Sequence, residues 1–170
     1  MSLDLAAIRA AQTRIRPHVK RTPVLTNAAL DTARGASVHF KCENLQEAGA
    51  FKSRGACNAV FSLSEAEAAH GVVTHSSGNH GLSLAYAAGR RGIPCTVVMP
   101  RTAPQAKKDT VRRYGGVITE CEPSTSSREA TFAKVQEATG GDFRAGGFTV
   151  VQARFAKRDA SAEALHVLHL

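Results

Sequence analysis

A chain of 170 residues, 43% hydrophobic and 21% charged, has room for one domain with its own core and part of another. No apolar run approaches the ~20 residues of a membrane span, and the N-terminus lacks the basic-then-apolar order of a secretory signal, so a soluble cytoplasmic protein is expected. The net charge of +8 does not point to nucleic acid: the basic residues are dispersed, and none of the seven phenylalanines and two tyrosines interleaves with them as a stacking platform.

In chain order, residues 4–14 carry helical apolar spacing (Leu5, Ile8, then Ile15) ended by Pro17. Thr22-Pro23-Val24-Leu25 reads as extended, since the residue before proline avoids the helical region. Asn27 suits the cap of a short helix stopping at Gly35, and residues 38–42 read as a strand. A helix is predicted over 53–63, followed by a short one opened by a capping box of Ser64 and Glu67. Residues 72–74 form a strand, 76–81 a turn, and a helix runs from there to Arg91, stopped by Gly92 and Pro94. A strand at 96–99, a helix with Pro104 in its first turn reaching Tyr114, and a strand at 117–119 come next. Ser126 with Glu129 reads as a second capping box, for a helix to about Thr139. Apolar strands alternating with helices over short loops imply parallel βαβ units, hence an α/β class with a small open parallel sheet and flanking helices. Cys42, Cys57, Cys95 and Cys121 lie far apart with no C-x-x-C pair, so the thiols read as ordinary and reduced, and no metal site is expected.

In open parallel sheets ligands sit beyond the carboxyl ends of the strands. The turn Ser76-Ser77-Gly78-Asn79-His80-Gly81 lies at such an end, where unsatisfied N–H groups and the helix dipole favour an anion. Taken alone, it reads equally as a tight βα turn whose Ser and Asn cap a helix. It is neither a G-x-G-x-x-G fingerprint nor a Walker loop, which argues against a dinucleotide or ATP. Lys52 opens a helix just after Ala48-Gly49-Ala50. A lysine in that place is most often a surface cation, but one shielded from water has its ammonium form disfavoured, and the neutral amine attacks aldehydes.

Together the two segments are specific. The stretch KCENLQEAGAFKSRGA (41–56), followed by THSSGNHG (74–81), resembles the fold-type II pyridoxal-phosphate (PLP) enzymes, within them the serine/threonine dehydratase, serine racemase and hydroxyaspartate dehydratase group. The resemblance runs over roughly residues 5–140 and implies a tryptophan synthase β-like fold, with residues 1–50 the start of a large domain, 51–141 a small α/β domain, and the second domain incomplete. It implies that Lys52 carries PLP and acts as the base on the substrate α-carbon, with Phe51 packed beside the cofactor ring. Asn79 would bond the ring's 3′-oxygen, and Ser76, Ser77, Asn79 and His80 would hold the substrate carboxylate. Ser77 would be the proton donor on the face opposite Lys52, which tilts the reading toward racemase or hydroxyaspartate dehydratase. The implied substrate is a small hydroxy amino acid, which either loses its β-hydroxyl and then ammonia or is racemised.

The resemblance ends in the second part. Relatives carry there a glycine-rich phosphate cradle, a residue facing the pyridine nitrogen and a divalent-metal site, and none is recognisable in this sequence. Residues 142–170 read as a divergent tail, expected either from a shortened gene read in another frame or as a genuine end adding a strand (148–155) and a helix (161–168). Val24, Leu25, Val38 and Phe40 would then lack covering neighbours, so self-association, as a homo-oligomer or otherwise, is expected. The other reading of the chain is a catalytically inactive remnant that binds a partner or small anion at most.

Overall fold

The computed structural model describes residues 4–138 and the strand at 149–150. Helix α1 (Leu5–Ile15) is capped by Asp4, which accepts from the Ala7 amide at 2.7 Å, and it turns Ile15 into the core. Strand β1 (Val24–Thr26) and strand β2 (His39–Lys41) pair antiparallel with Leu25 opposite Phe40. Between them lies α2 (Ala28–Arg34), capped by Asn27 and ended by Gly35 at φ +62°, a left-handed conformation that costs glycine little. Two 3-10 turns, Glu43–Leu45 and Glu47–Gly49, lead into α3 (Lys52–Phe61).

The rest is regular: α4 (Glu65–Ala69), β3 (Val72–His75), α5 (Asn79–Arg91), β4 (Cys95–Pro100), α6 (Gln105–Arg113), β5 (Val117–Cys121), α7 (Thr125–Ala138) and β6 (Thr149–Val150). The four later strands form one parallel sheet in the order β5-β4-β3-β6. The expected small parallel sheet with flanking helices is what the chain forms. Val72, Val73, Val97, Val98 and Met99 are fully buried on its central strands. Helices α3 and α5 pack on one another and share a single core cluster with Ile15, through Ala56, Val60, Leu84, Ala87 and Ala88.

Most predicted ends hold to within two residues, because their signals are physical. The Ser64–Glu67 capping box is formed in both directions, and Gly92 ends α5 at φ +73°. Two caps differ. Pro104 stands just before the first turn of α6, as its N-cap residue. For α7, the expected Ser126–Glu129 box gives way to Ser124, whose hydroxyl accepts from the Ser127 amide at 3.1 Å and whose carbonyl accepts from Arg128 at 3.1 Å. Ser124 meets the first-turn donors two residues earlier, so Ser126 falls inside the helix (3.3 Å between the two hydroxyls). Of the strand expected over 148–155, residues 149–150 are described; its remainder and the expected helix at 161–168 lie outside the described residues.

Candidate active site

The β3–α5 turn is set by the sheet beneath it. The Ser76 amide donates to the Val98 carbonyl at 3.0 Å, carrying the β3–β4 ladder one residue past the strand. Ser76 Oγ then accepts from the Gly78 amide at 3.2 Å and braces the corner. Helix α5 begins at Asn79 with no side-chain cap, so the positive end of its dipole, which favours an anion, lies beyond the carboxyl end of β3. Gly81 makes this approach possible. A Cβ there would lie 2.9 Å from Val97 Cγ1 and 3.0 Å from the Ser76 carbonyl, closer than side chains tolerate, so a larger residue would lift α5 off the turn. Ser76, Ser77 and His80 are half-buried and Asn79 is exposed.

Lys52 is the first residue of α3, half-buried, with Nζ 5.1 Å from the centroid of the Phe51 ring. The turn before it is tight: Ala48 (φ +52°) and Gly49 (φ +67°) both take left-handed conformations. For alanine this costs about 1–2 kcal/mol, and the surroundings must hold it there. The two motifs meet through their helices. Ser53 follows Lys52 and its Oγ lies 3.2 Å from Ser83 Oγ on α5. Lys52 and Asn79 are each within roughly one helical turn of that contact. All six residues named from the sequence (Phe51, Lys52, Ser76, Ser77, Asn79 and His80) thus fall at the start of two helices that touch near their N-termini.

Sequence reasoning missed the polar strap behind Lys52. Arg54 and Glu43, both buried, form a two-pronged ion pair, Nε to Oε2 at 2.9 Å and Nη2 to Oε1 at 2.7 Å. Thr22 Oγ1 donates to the same carboxylate at 2.5 Å, and the Arg54 guanidinium also donates to the Lys20 carbonyl at 3.2 Å. Gln46 binds the Lys20 backbone twice, accepting from its amide and donating to its carbonyl, both at 2.8 Å. Burial alone would raise the Glu43 pKa, but hydrogen bonds from Arg54 and Thr22, with the charges of Arg54 and Lys41, hold it below the usual carboxylate range. The available signal was one of two glutamates and the single arginine inside one motif, Glu43 and Arg54.

His75 was also passed over. It ends β3 and meets the ring of Phe132 on α7 edge-on, centroids 5.3 Å apart; burial, then the charge of Arg128, holds its pKa below the ordinary histidine value. On the other face, Thr74 is fully buried and its hydroxyl has no partner. A cavity of about 960 Å³ lies elsewhere, between α1 and the segment 19–24, with Lys41 and Arg54 on its wall. None of the six motif residues lines it, so its size does not make it the site.

The fit to a known family follows from comparison. Residues 15–163 match the family described as pyridoxal-phosphate dependent enzyme, a match that reaches into the segment set apart above as a divergent tail. Over 134 residues the chain is 72% identical to the beta-hydroxyaspartate dehydratase of Paracoccus denitrificans, covering 79% of this chain and 42% of that protein. It is 53% identical to a serine racemase of Oryza sativa, covering 81% and 40%. Among solved structures, maize serine racemase superposes with a TM-score of 0.79 at 48% identity, covering 83% of this chain and 43% of the maize chain. The chain therefore spans about two fifths of the length of the relatives it matches.

Proposed function

The chain belongs to the pyridoxal-phosphate dependent enzyme family, and from that premise we propose that it carries the lysine half of a site for β-elimination from, or racemisation of, a serine- or threonine-like hydroxy amino acid. The observation that carries this reading is the meeting of two helix starts, Lys52 on one and the uncapped α5 on the other, held together at Ser53 and Ser83. The residues fit the cofactor: a half-buried amine, an adjacent aromatic ring, and an anion-favouring helix end kept open by Gly81. When bound, PLP supplies the electron sink that stabilises charge at the substrate α-carbon. Lys52 would hold the cofactor through its Nζ and take the α-proton there. Phe51 would exclude water from one side of the ring, and Asn79 would donate to its 3′-oxygen. Ser76, Ser77, Asn79 and His80 would hold the substrate carboxylate, with Ser77 Oγ delivering a proton from the opposite face.

The 72% identity to a protein named for β-hydroxyaspartate favours an acidic hydroxy amino acid as the substrate to try before serine and threonine. The reading includes a cytoplasmic location, and no helix among the described residues is long and apolar enough to cross a membrane. It also includes self-association through β1 and β2, where Val24, Leu25 and Phe40 are exposed. A second reading is a chain that keeps the fold without the activity. The deciding experiment adds PLP to the purified chain, follows its visible absorbance, and locates the borohydride-fixed adduct by mass spectrometry, with Lys52→Ala as control. A band and an adduct that both vanish in Lys52→Ala support the first reading. Their absence from the parent chain, or an adduct spread over surface lysines, selects the second.

A further inference from the structure

Ser53 and Ser83 are fully buried, both 0% exposed, among the alanine, valine, leucine and cysteine side chains of α3 and α5. Ser53 Oγ donates to the Glu47 carbonyl, and its oxygen lies 3.2 Å from Ser83 Oγ. A hydroxyl has a single proton to give. With that of Ser53 given to the carbonyl, Ser83 supplies the one between the two serines. The bonds therefore run in one direction, from the second turn of α5, through the first turn of α3, to the 3-10 turn Glu47–Gly49. That turn contains the left-handed Ala48 and ends just before Ala50 and Phe51. Lys52 lies inside the last link of this relay, with Glu47 five residues before it and Ser53 immediately after.

A buried hydroxyl without a partner is unfavourable, so each link fixes the next. The relay thereby sets where the first turn of α3 stands against α5, and with it the root of the Lys52 side chain relative to the 76–81 turn. We infer that Ser53 and Ser83 are positioning residues for Lys52, an inference that rests on the reading of Lys52 as the cofactor-bearing lysine. Neither serine touches the reacting atoms. Their effect is on how often the amine stands where the cofactor needs it.

The relay is asymmetric, which makes the inference testable. Ser53→Ala leaves the Ser83 hydroxyl buried with no partner and takes from the Glu47 carbonyl its hydroxyl donor. Ser83→Ala leaves Ser53 still bonded to Glu47. The double variant removes the orphan that the first creates. Two readouts on the full chain decide: the PLP concentration that half-fills Lys52, from the borohydride-fixed fraction by mass spectrometry, and amide hydrogen exchange over residues 47–54 without cofactor. Both are taken well below the melting temperature of each variant. The half-filling concentration is expected to rise roughly threefold in Ser83→Ala and roughly tenfold in Ser53→Ala, with the double variant no worse than the latter. Exchange over 47–54 should quicken in the same order. Should Ser53→Ala fail to fold, Ser83→Ala carries the test alone. A pair that served packing only would lower the melting temperature and leave Lys52 filling unmoved; that outcome overturns the inference whatever the exchange shows. If the parent chain takes no cofactor at Lys52, the proposed function fails and the inference falls with it; a parent chain that fills Lys52 while both serine variants fill it equally well overturns the inference alone.

Discussion

The α/β unit and the N-terminal arm, residues 20–46 with β1, α2 and β2, are held by different forces. In the unit, β3, β4, α3 and α5 bury valine, leucine, alanine and methionine completely, and apolar burial at roughly 25 cal/mol per Å² accounts for its cohesion. In the arm, the strands expose their apolar residues instead: Val24 54%, Leu25 55% and Phe40 45%. What fastens the arm is the buried strap of Thr22, Glu43, Gln46 and Arg54. Burying polar groups gains little unless every one is satisfied, and it becomes costly as soon as one is not. The unit should therefore yield gradually to single substitutions, whereas the arm should be fastened or loose.

Breaking the ion pair gives the largest expected effect. Arg54→Ala leaves the Glu43 carboxylate buried without its cation, a loss of about 3–5 kcal/mol when the charge cannot escape. Here it can escape, because releasing the arm returns Glu43 to water. The loss should accordingly appear in the arm alone. Hydrogen exchange of residues 20–24 and 39–46 should accelerate by orders of magnitude, while Val72–His75 and Cys95–Pro100 keep their protection. Equal loss of protection in both regions would mean that arm and unit unfold together, and the contrast between them would fail.

Acid should sharpen the same contrast with a smaller effect. Because Arg54 and Thr22 hold the folded Glu43 pKa below its ordinary value of 4.5, its contribution to stability is present above that value and is lost as pH falls through the depressed one. Amide signals of the arm in NMR spectra should thus weaken at a higher pH than those of β3 and β4. Glu43→Gln, which cannot titrate, should remove the arm's acid step while making it looser at neutral pH. An unchanged acid step in that variant would place its origin in another carboxylate.

The unit was legible in the sequence and the strap was not, for a physical reason. Helix caps, glycine stops and runs of β-branched residues act between near neighbours, so Asn27, Ser64, Gly35 and Gly92 announce what they do. The turn 76–81 and Lys52 were legible through family resemblance, as motif residues. That they stand on two helices in contact depends on Ser53 and Ser83, thirty positions apart, and no local pattern reports such a pair. Thr22, Glu43 and Arg54 are likewise brought together across 32 residues. A lone glutamate or arginine in a sequence reads as surface charge until its partner is known. The misassigned cap at Ser126 has a smaller cause, since three serines at 124, 126 and 127 compete for the same amides and only geometry ranks them.

The smallest expected change in the stability of the chain tests the exposed side of the arm. Leu25 and Phe40 stand opposite one another across β1 and β2, on one face, and both are about half exposed. A two-stranded sheet with open edges and an apolar face is a template for association. Leu25 and Phe40 meet each other across the strands and leave about half of their surface open, so Leu25→Ser and Phe40→Ser should each lower unfolding free energy by about 1 kcal/mol or less. The double variant should nevertheless shift sedimentation toward the monomer. A parent chain that is already monomeric at high concentration would remove self-association from the proposed function. A variant that loses several times the expected stability would show that something covers this face, and the arm would then be held by apolar burial as the unit is.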